Sequence, residues 1–492
     1  MIDVPLTDRR SILTAAAALC LVGAGSKSAS AHNSGVGNDL VGLFDPGADA
    51  TSREVFWTNR LSHGGRRRWT LPDFQKVTAR VAAASGGFDL LDTQDAGGQL
   101  RLQVRSRSQG AVRWLRIRRD RDDPQRLFDI GLAPTPAPYD RVGPAGPVSR
   151  NALGLEIERR IRFAAQRDEF SGAVSVVAPD GATVCKMAVG RARRDPDLPA
   201  LVDTRFNIGS ADKSFTALMI GRLVADGLLS FDTRLIEALP HYPNLAFARA
   251  CTIQHLLTHA SGLGALFDRP GWDWNKRFSR MSDLFPVFAQ QSATFAPGTS
   301  TAYSNEGFVV LGAVIEGITG ASWYDLLAAQ VYAPAGMTRS GHFQDVTSVP
   351  DLAIGYAYRQ EDDLGLQGRA SNDGYRGYRG SSCGGGYSTV EDMTAWLRSM
   401  RDGRLLTLDL VEALVAPQRA GLSDYARGFT RRTVAGRTLI GHGGGGPHSG
   451  IDGDHFIVWE TGWTVSVLGN YDAPFARELA QDIGRWVALQ PA

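Results

Sequence analysis

The chain has 492 residues, 43% of them hydrophobic and 21% charged, and a net charge of +2 at pH 7. This composition is ordinary for a soluble globular protein, and the near-neutral balance argues against a protein that holds nucleic acid on a basic surface. Two or three domains are expected at this length. The basic residues are almost all arginine, with lysine only at Lys27, Lys76, Lys186, Lys213 and Lys276.

Residues 1–31 read as an export signal of the twin-arginine type, which implies a periplasmic or secreted protein. Asp8-Arg9-Arg10-Ser11-Ile12-Leu13 carries the arginine pair, an apolar stretch runs from Ile12 to Val22, and Ala29-Ser30-Ala31 is a small-residue cleavage site. The apolar stretch is too short to span a bilayer. Leu19 before Cys20 is not the small residue that a lipid-attachment site takes, so no stable membrane anchor is expected. A disordered basic tail is the alternative. Cleavage would leave Cys185, Cys251 and Cys383, none close to another in sequence, so neither a disulfide framework nor a metal site is expected.

Residues 36–133 read as a small α+β accessory domain. Two helical patterns come first, the clearer placing Phe74, Val77 and Val81 on one face. Strands follow, in which Leu100, Leu102 and Val104, and then Phe128, Ile130 and Leu132, alternate with polar residues. This order resembles the cystatin-like or nuclear-transport-factor-like domains that precede some secreted hydrolases. Arg66 to Arg68 and Arg116 to Arg121 form basic clusters, which a solvated strand edge explains better than nucleic acid.

Residues 134–149 form a linker stiffened by five prolines, Pro134, Pro136, Pro138, Pro144 and Pro147. Residues 150–492 make the main domain. A helix carries Leu153, Ile157, Ile161 and Ala165, and a hairpin turns at Pro179-Asp180-Gly181. Two strands, Phe456 to Trp459 and Thr464 to Leu468, and a helix carrying Phe475, Leu479, Ile483 and Val487 close the chain. Both ends of this domain are thus expected to build one antiparallel sheet, with a mostly helical middle from Ser210 to about Arg401.

Chemistry concentrates at three places. Ser210 and Lys213 are three apart, so in a first helical turn both side chains leave one face. A serine hydroxyl needs a neighbouring group to take its proton, and a lysine does this once burial or other cations lower its pKa. The helix N-terminus favours developing negative charge, and a free N–H there can face an oxyanion. Tyr303 and Asn305 come next, before a helical run from Gly307 to Ile318. A tyrosine at such a site can pass a proton, and an asparagine can hold both the lysine and a substrate carbonyl, although a buried tyrosine and a helix cap would look the same. Last comes Gly441-His442-Gly443-Gly444-Gly445-Gly446-Pro447, expected where a strand from Arg437 to Ile440 ends. Its glycines would let a substrate approach the backbone closely, although a flexible loop would also fit.

Ser210-x-x-Lys213, Tyr303-x-Asn305 and His442-Gly443-Gly444, in that order, resemble the three signature elements of the serine β-lactamase and penicillin-binding-protein superfamily. The tyrosine element is similar to that of the class C β-lactamases, D-Ala-D-Ala carboxypeptidases and related esterases. Thr252 to Leu263 and Gly384 to Asp392 also look like sequence marks of this group, with His255 and His259 resembling its structural histidines. The resemblance covers about Leu153 to Leu489. It implies an α+β fold with an antiparallel sheet, flanking helices and a helical subdomain, and no cofactor or metal. Carried over, it makes Ser210 the nucleophile, Lys213 its base, Tyr303 a proton shuttle and Asn305 a positioning group. The N–H groups of Ser210 and Gly445 become an oxyanion hole, His442 joins the catalytic set, and Gly443 and Gly444 touch substrate. The implied reaction is acyl transfer through a serine-bound intermediate, on a small-molecule or peptide-like acyl substrate.

One departure from the family pattern matters. The third element usually reads Lys-Thr-Gly, whose lysine and hydroxyl help to recognise a carboxylate, and here no lysine follows Lys276. A histidine is mostly neutral at pH 7, so esters or uncharged amides are favoured over β-lactams. Arg376 or Arg379 could restore anion recognition, which keeps a β-lactamase, carboxypeptidase or aminopeptidase open. A binder that is acylated without turnover is a further alternative. Trp272 and Trp274 on one rim, and Tyr375 and Tyr378 on the other, either bind an apolar acyl group or cap the core. The sequence carries no signal for oligomeric state.

Overall fold

The computed structural model of the chain describes residues 36–96, 99–108, 110, 112–120, 123, 125–131, 143–166, 168–344, 349–358, 368–372, 378–418, 425–446 and 448–492. The export signal, most of the linker, Tyr375 and Arg376 therefore lie outside the described residues. Two compact units are present: Met1–Tyr139 with Tyr358–Gly368, and Asp140–Ala357 with Arg369–Ala492.

In the first unit helices α1 (Ala50–Arg60), α2 (His63–Arg68) and α3 (Leu71–Ser85) precede an antiparallel meander of β1 (Phe88–Ala96), β2 (Gln99–Ser106), β3 (Val112–Arg119) and β4 (Leu127–Gly131). The Thr70 side chain caps α3 by accepting from Asp73 N, and Gly86 ends it in the left-handed region at φ 65°. Leu100, Leu102 and Val104 turn inward as their alternation predicts, joining Leu115 and Ile117 of β3 and Phe74 and Val81 of α3 in one apolar cluster. Of the expected inward row of β4, Leu132 lies outside the described residues, Ile130 is buried as expected, and Phe128 is corrected. Leu127 and Ile130 are buried while Phe128 is only partly so, because a register shift between Arg118 and Arg119 changes which face the strand's start presents.

The second unit opens with α4 (Arg150–Gln166), β5 (Gly172–Val177) and β6 (Thr183–Val189). Next come β7 (Phe206–Gly209), α5 (Asp212–Ala225), α6 (Asn305–Thr319), β8 (Gly386–Ser388) and α7 (Val390–Arg401). It closes with β9 (Thr430–Val434), β10 (Arg437–Gly446), β11 (Ile451–Val458), β12 (Thr464–Gly469) and α8 (Phe475–Ala488). The main sheet runs β9-β10-β11-β12-β5-β6, every pair antiparallel, so the two ends of the unit meet where β12 pairs with β5. Every residue of those two strands is buried, as expected of strands covered on both faces. Leu439 and Phe456 meet α8, where a Cβ on Gly484 would come within 2.9 Å of the Phe456 ring. The alternate residues Ile440, Ile457 and Leu468 share the opposite core with Trp396 of α7. Helix α8 buries Phe475, Leu479, Ile483 and Val487, the face its spacing predicts, whereas α4 buries Ala164 in place of Ala165.

Two features of this unit position the site. Helices α5 and α6 are buried on nearly all sides, so their N-termini are held at fixed places in the core. Strand β10 does not end at Ile440 but continues through the glycines to Gly446, a correction of the sequence expectation. Gly443, Gly444 and Gly445 stand opposite Asp454, Gly453 and Asp452 of β11. The ladder needs only backbone, and there is no space for more: a Cβ on Gly445, at φ 114°, would stand 1.9 Å from the Ile451 oxygen.

Candidate active site

Strand β7 ends at Gly209, whose φ of 50° turns the chain into α5 and leaves Ser210 at the bend. Lys213 N bonds Ser210 O at 3.0 Å, one turn that brings both side chains to one side. Lys213 is wholly buried. Its Nζ lies 3.1 Å from Ser210 Oγ, 2.8 Å from Asn305 Oδ1 and 2.5 Å from the Cys383 carbonyl oxygen. All three partners are uncharged. Such an arrangement can take a proton from the serine hydroxyl over a single hydrogen bond.

Tyr303 and Asn305 flank Ser304, which caps α6 by accepting from Gly307 N at 2.9 Å. The cap starts the helix at Asn305, next to Lys213. Tyr303 is about half exposed at 49%, and its ring faces the lysine amine, 4.8 Å from Nζ to the ring centre. Behind it stands His259, 4.4 Å away between ring centres, with Tyr425 on its other side at 4.5 Å. His259 Nδ1 accepts from Ser304 N at 3.1 Å, so this histidine is structural. Burial, then the Lys213 charge, holds it well below the usual imidazole range. His255 is structural too, its Nδ1 accepting from Thr252 N at 3.2 Å.

The glycine strand closes the other side. A Cβ on Gly209 would stand 2.7 Å from Gly445 N, and one on Gly444 would stand 2.7 Å from Ser210 N. Backbone meets backbone here because neither side carries a side chain. This close approach brings the backbone of Ser210 and that of Gly445 to the same side of the cleft, where Ser210 also lies.

These groups line one cleft of about 550 Å³ that takes in Ser210, Tyr303, Asn305, His442 and Gly443 to Gly446. His442 is 3% exposed, and burial, then the Lys213 charge, pushes it down to about 3. Its Nε2 faces the Tyr425 hydroxyl at 3.1 Å. Phe267, Trp274 and Tyr378 form the apolar wall. Trp272 does not reach the cleft, a correction: it braces the wall from behind, 5.1 Å from Phe267 and 5.6 Å from Tyr378. Arg379 is likewise displaced, stacked 3.9 Å over Tyr324 and away from the cleft. Among the described residues, the arginines that line it are Arg432 and Arg477. Arg432 pairs with buried Asp454 at 2.8 Å, and Arg477 Nη2 donates to the carbonyl oxygens of Gly444 and Gly445 at 3.3 and 3.4 Å.

Sequence reasoning also missed Cys383, whose carbonyl holds Lys213, and Tyr425; neither carries a motif. It missed Asp212 as well, inside the Ser210 turn, whose Oδ2 accepts from Gly386 N at 2.7 Å and meets His342 at 3.3 Å, tying α5 to β8. Among the described residues Cys185, Cys251 and Cys383 are unbridged, and no group of three or more His, Cys, Asp or Glu is placed to hold a metal ion.

The Beta-lactamase family model matches residues 158–489, well over half of the chain. A D-aminopeptidase of Cereibacter sphaeroides is 28% identical over 309 residues, 61% of this chain and 57% of the relative. Esterase EstB of Burkholderia gladioli is 35% identical over 203 residues, 39% of this chain and 52% of the relative. The chain thus spans little more than half the length of these curated relatives. Among solved structures, a penicillin-binding protein from Bacillus halodurans superposes with a TM-score of 0.56 at 26% identity, covering 67% of this chain and 98% of that one. A D-amino acid amidase from Ochrobactrum anthropi shares the fold, with a TM-score of 0.58 at 21% identity over 68% of this chain and 98% of that one. The sheet, the buried helix pair and the three meeting motifs agree with these matches, and the chain belongs to the Beta-lactamase family.

Proposed function

We propose that the protein is a serine hydrolase that cleaves small esters or amides through an acyl-enzyme, with esters preferred over β-lactams. The observation that carries this is the buried Lys213 amine 3.1 Å from Ser210 Oγ, held by Asn305 and the Cys383 carbonyl. Ser210 Oγ attacks the carbonyl carbon as its proton passes to Lys213 Nζ. The N–H groups of Ser210 and Gly445 receive the oxyanion. As the intermediate collapses, the carbon–oxygen or carbon–nitrogen bond breaks and the leaving group takes a proton by way of Tyr303. Water then attacks the acyl-serine with the same groups in reverse roles.

The ester preference is supported by His442, which stands where the family usually has a lysine. It is neutral and bonded to Tyr425, so it offers a substrate carboxylate no charge. The second reading, an amidase or peptidase for carboxylate-bearing substrates, draws on Arg432 and Arg477 in the same cleft. Each of these already has protein partners, which favours the first. The curated relatives named above include both an aminopeptidase and an esterase. Purified protein and its Ser210→Ala variant are to be compared on p-nitrophenyl acetate and butyrate, nitrocefin and a D-amino acid amide. Ser210-dependent ester cleavage with slow nitrocefin turnover is expected; efficient nitrocefin turnover without ester cleavage refutes the preference. A burst of serine labelling with no turnover on any substrate would instead identify a binder.

Export through the twin-arginine route is proposed from Arg9 and Arg10. Cell fractionation is expected to find the protein outside the cytoplasm, and the Arg9→Lys/Arg10→Lys variant retained within it. Equal distribution of the two would refute the route.

A further inference from the structure

Tyr303, Ser304, Asn305 and Glu306 alternate in what they hold. Tyr303 and Asn305 line the cleft beside Lys213. Ser304 and Glu306 instead take hold of the opposite loop. The Ser304 hydroxyl donates to Gly264 O at 3.1 Å, and Glu306 Oε2 accepts from Gly264 N at 2.6 Å. Arg269, five residues further along that loop, closes a fork on the same carboxylate, Nε to Oε1 at 2.5 Å and Nη2 to Oε2 at 3.1 Å. Glu306 is wholly buried, and Arg269 also bonds Gln291. A paired guanidinium and carboxylate fix orientation as well as distance, which a single bond would not.

The loop fixed in this way carries Phe267 and Trp274 of the apolar wall, and Tyr378 meets them from another segment. Phe267 stacks on Trp274 with ring centres 4.9 Å apart and planes 20° from parallel, and each meets Tyr378 edge-on at 5.7 Å. Trp272, whose N bonds Arg269 O at 3.0 Å, closes the back of the stack. The loop itself has no long helix or strand to hold it, only a short turn at Leu266–Asp268. Its position relative to Ser210 therefore depends on the clamp at Gly264 and Arg269.

We propose that the Glu306–Arg269 pair is a specificity-determining strut, which holds the Phe267–Trp274–Tyr378 wall at the distance from Ser210 that admits an aromatic or similarly bulky apolar acyl group. Neither residue touches the reacting atoms, so both are positioning residues. The inference rests on the acyl-transfer reading above and adds to it the class of acyl group. With the strut removed, a small acyl group still meets Ser210 and Lys213, whereas a large one loses its wall.

The test compares p-nitrophenyl acetate with p-nitrophenyl phenylacetate on full-length wild type, Arg269→Met, Arg269→Lys and Phe267→Ala, with thermal midpoints taken alongside. Wild type is expected to favour the phenylacetate. In Arg269→Met and Phe267→Ala, kcat/KM for the phenylacetate falls about tenfold, mostly through KM, while in Arg269→Met that for the acetate stays within about twofold. Arg269→Lys, which keeps the charge but loses the fork, falls between. An equal loss on both esters in Arg269→Met, or no loss on either in the two variants, overturns the proposal. Should wild type cleave neither ester, the proposed function fails on its own account. The wall is then read by quenching of tryptophan emission with phenylacetamide, where weaker binding to Arg269→Met supports the strut and equal binding overturns it.

Discussion

Tyr425 Oη lies 3.1 Å from Nε2 of His442, while Nδ1 of the same ring lies 2.6 Å from the Gly443 carbonyl oxygen. A carbonyl oxygen only accepts, so Nδ1 carries the proton and Nε2 receives the phenol's. Both nitrogens are occupied within the protein. The ring therefore braces the glycine strand from beneath, and its neutrality follows from burial beside a lysine.

Tyr425→Phe removes the donor and leaves a buried imidazole nitrogen without one, for which a loss of about 1–3 kcal/mol in chemical denaturation is expected. The wild-type pH–activity profile should show no inflection from this ring between about pH 5 and 8, given a value near 3. An inflection in that window that vanishes in His442→Asn would contradict the assignment.

Acid should loosen the fold through its buried histidines. Burial lowers His259 and His442, and lowers His455 to about 4, all below the ordinary value of 6.5. Below pH 6.5 the unfolded chain binds these protons first, so the stability they contribute is full above 6.5 and lost as pH falls towards the folded values. Asp452 acts in the opposite sense. Burial raises it to about 7, so the folded state takes its proton first and gains stability as pH falls from 7 towards 3.8. Thermal midpoints between pH 7.5 and 4.5 check both signs: His455→Gln should flatten the acid decline and Asp452→Asn should steepen it.

Local spacing made part of this legible from sequence. Ser210 and Lys213 meet because the single turn closed by the Lys213 N to Ser210 O bond leads straight into α5, and α8 buries the face that its apolar spacing marks. The glycine strand was misplaced because glycine has low strand propensity, and what holds β10 in the sheet is the partner strand β11. Trp272 and Trp274 could not be told apart because a loop has no periodicity to say which ring faces the cleft. Arg432 and Arg477 enter the cleft from a sheet edge and a distant helix, neither marked by a motif. Glu306 reads in sequence as an ordinary acidic residue in a helix's first turn, and only the fold brings Arg269 to it.

The two glycine neighbours of the cleft should behave oppositely on substitution. A Cβ at Gly444 would stand 2.0 Å from Ile208 O and 2.7 Å from Ser210 N, whereas at Gly446 it would meet nothing within 4 Å. Gly444→Ala must push β7 and β10 apart and misplace an oxyanion donor, so kcat should fall about 10²–10³-fold. Gly446→Ala should stay within about twofold of wild type. Circular dichroism establishes that both variants fold, and equal activity of the two would remove the close backbone approach from the account of the site.

Arg432 and Asp454 pair at 2.8 Å inside the cleft, with the guanidinium 5.3 Å over the Phe456 ring and the carboxylate almost wholly buried. Removing the arginine alone strands a buried charge, so Arg432→Met should cost about 3–5 kcal/mol in denaturant unfolding. Changing both partners, as in Arg432→Met/Asp454→Asn, should recover much of that loss. The double variant then asks what the pair does for substrates. If Arg432 is spent on Asp454, the ratio of p-nitrophenyl acetate to nitrocefin turnover is unchanged, because no substrate carboxylate had been using the guanidinium. If nitrocefin turnover alone falls, Arg432 recognises a carboxylate, and the amide-cleaving reading displaces the ester one.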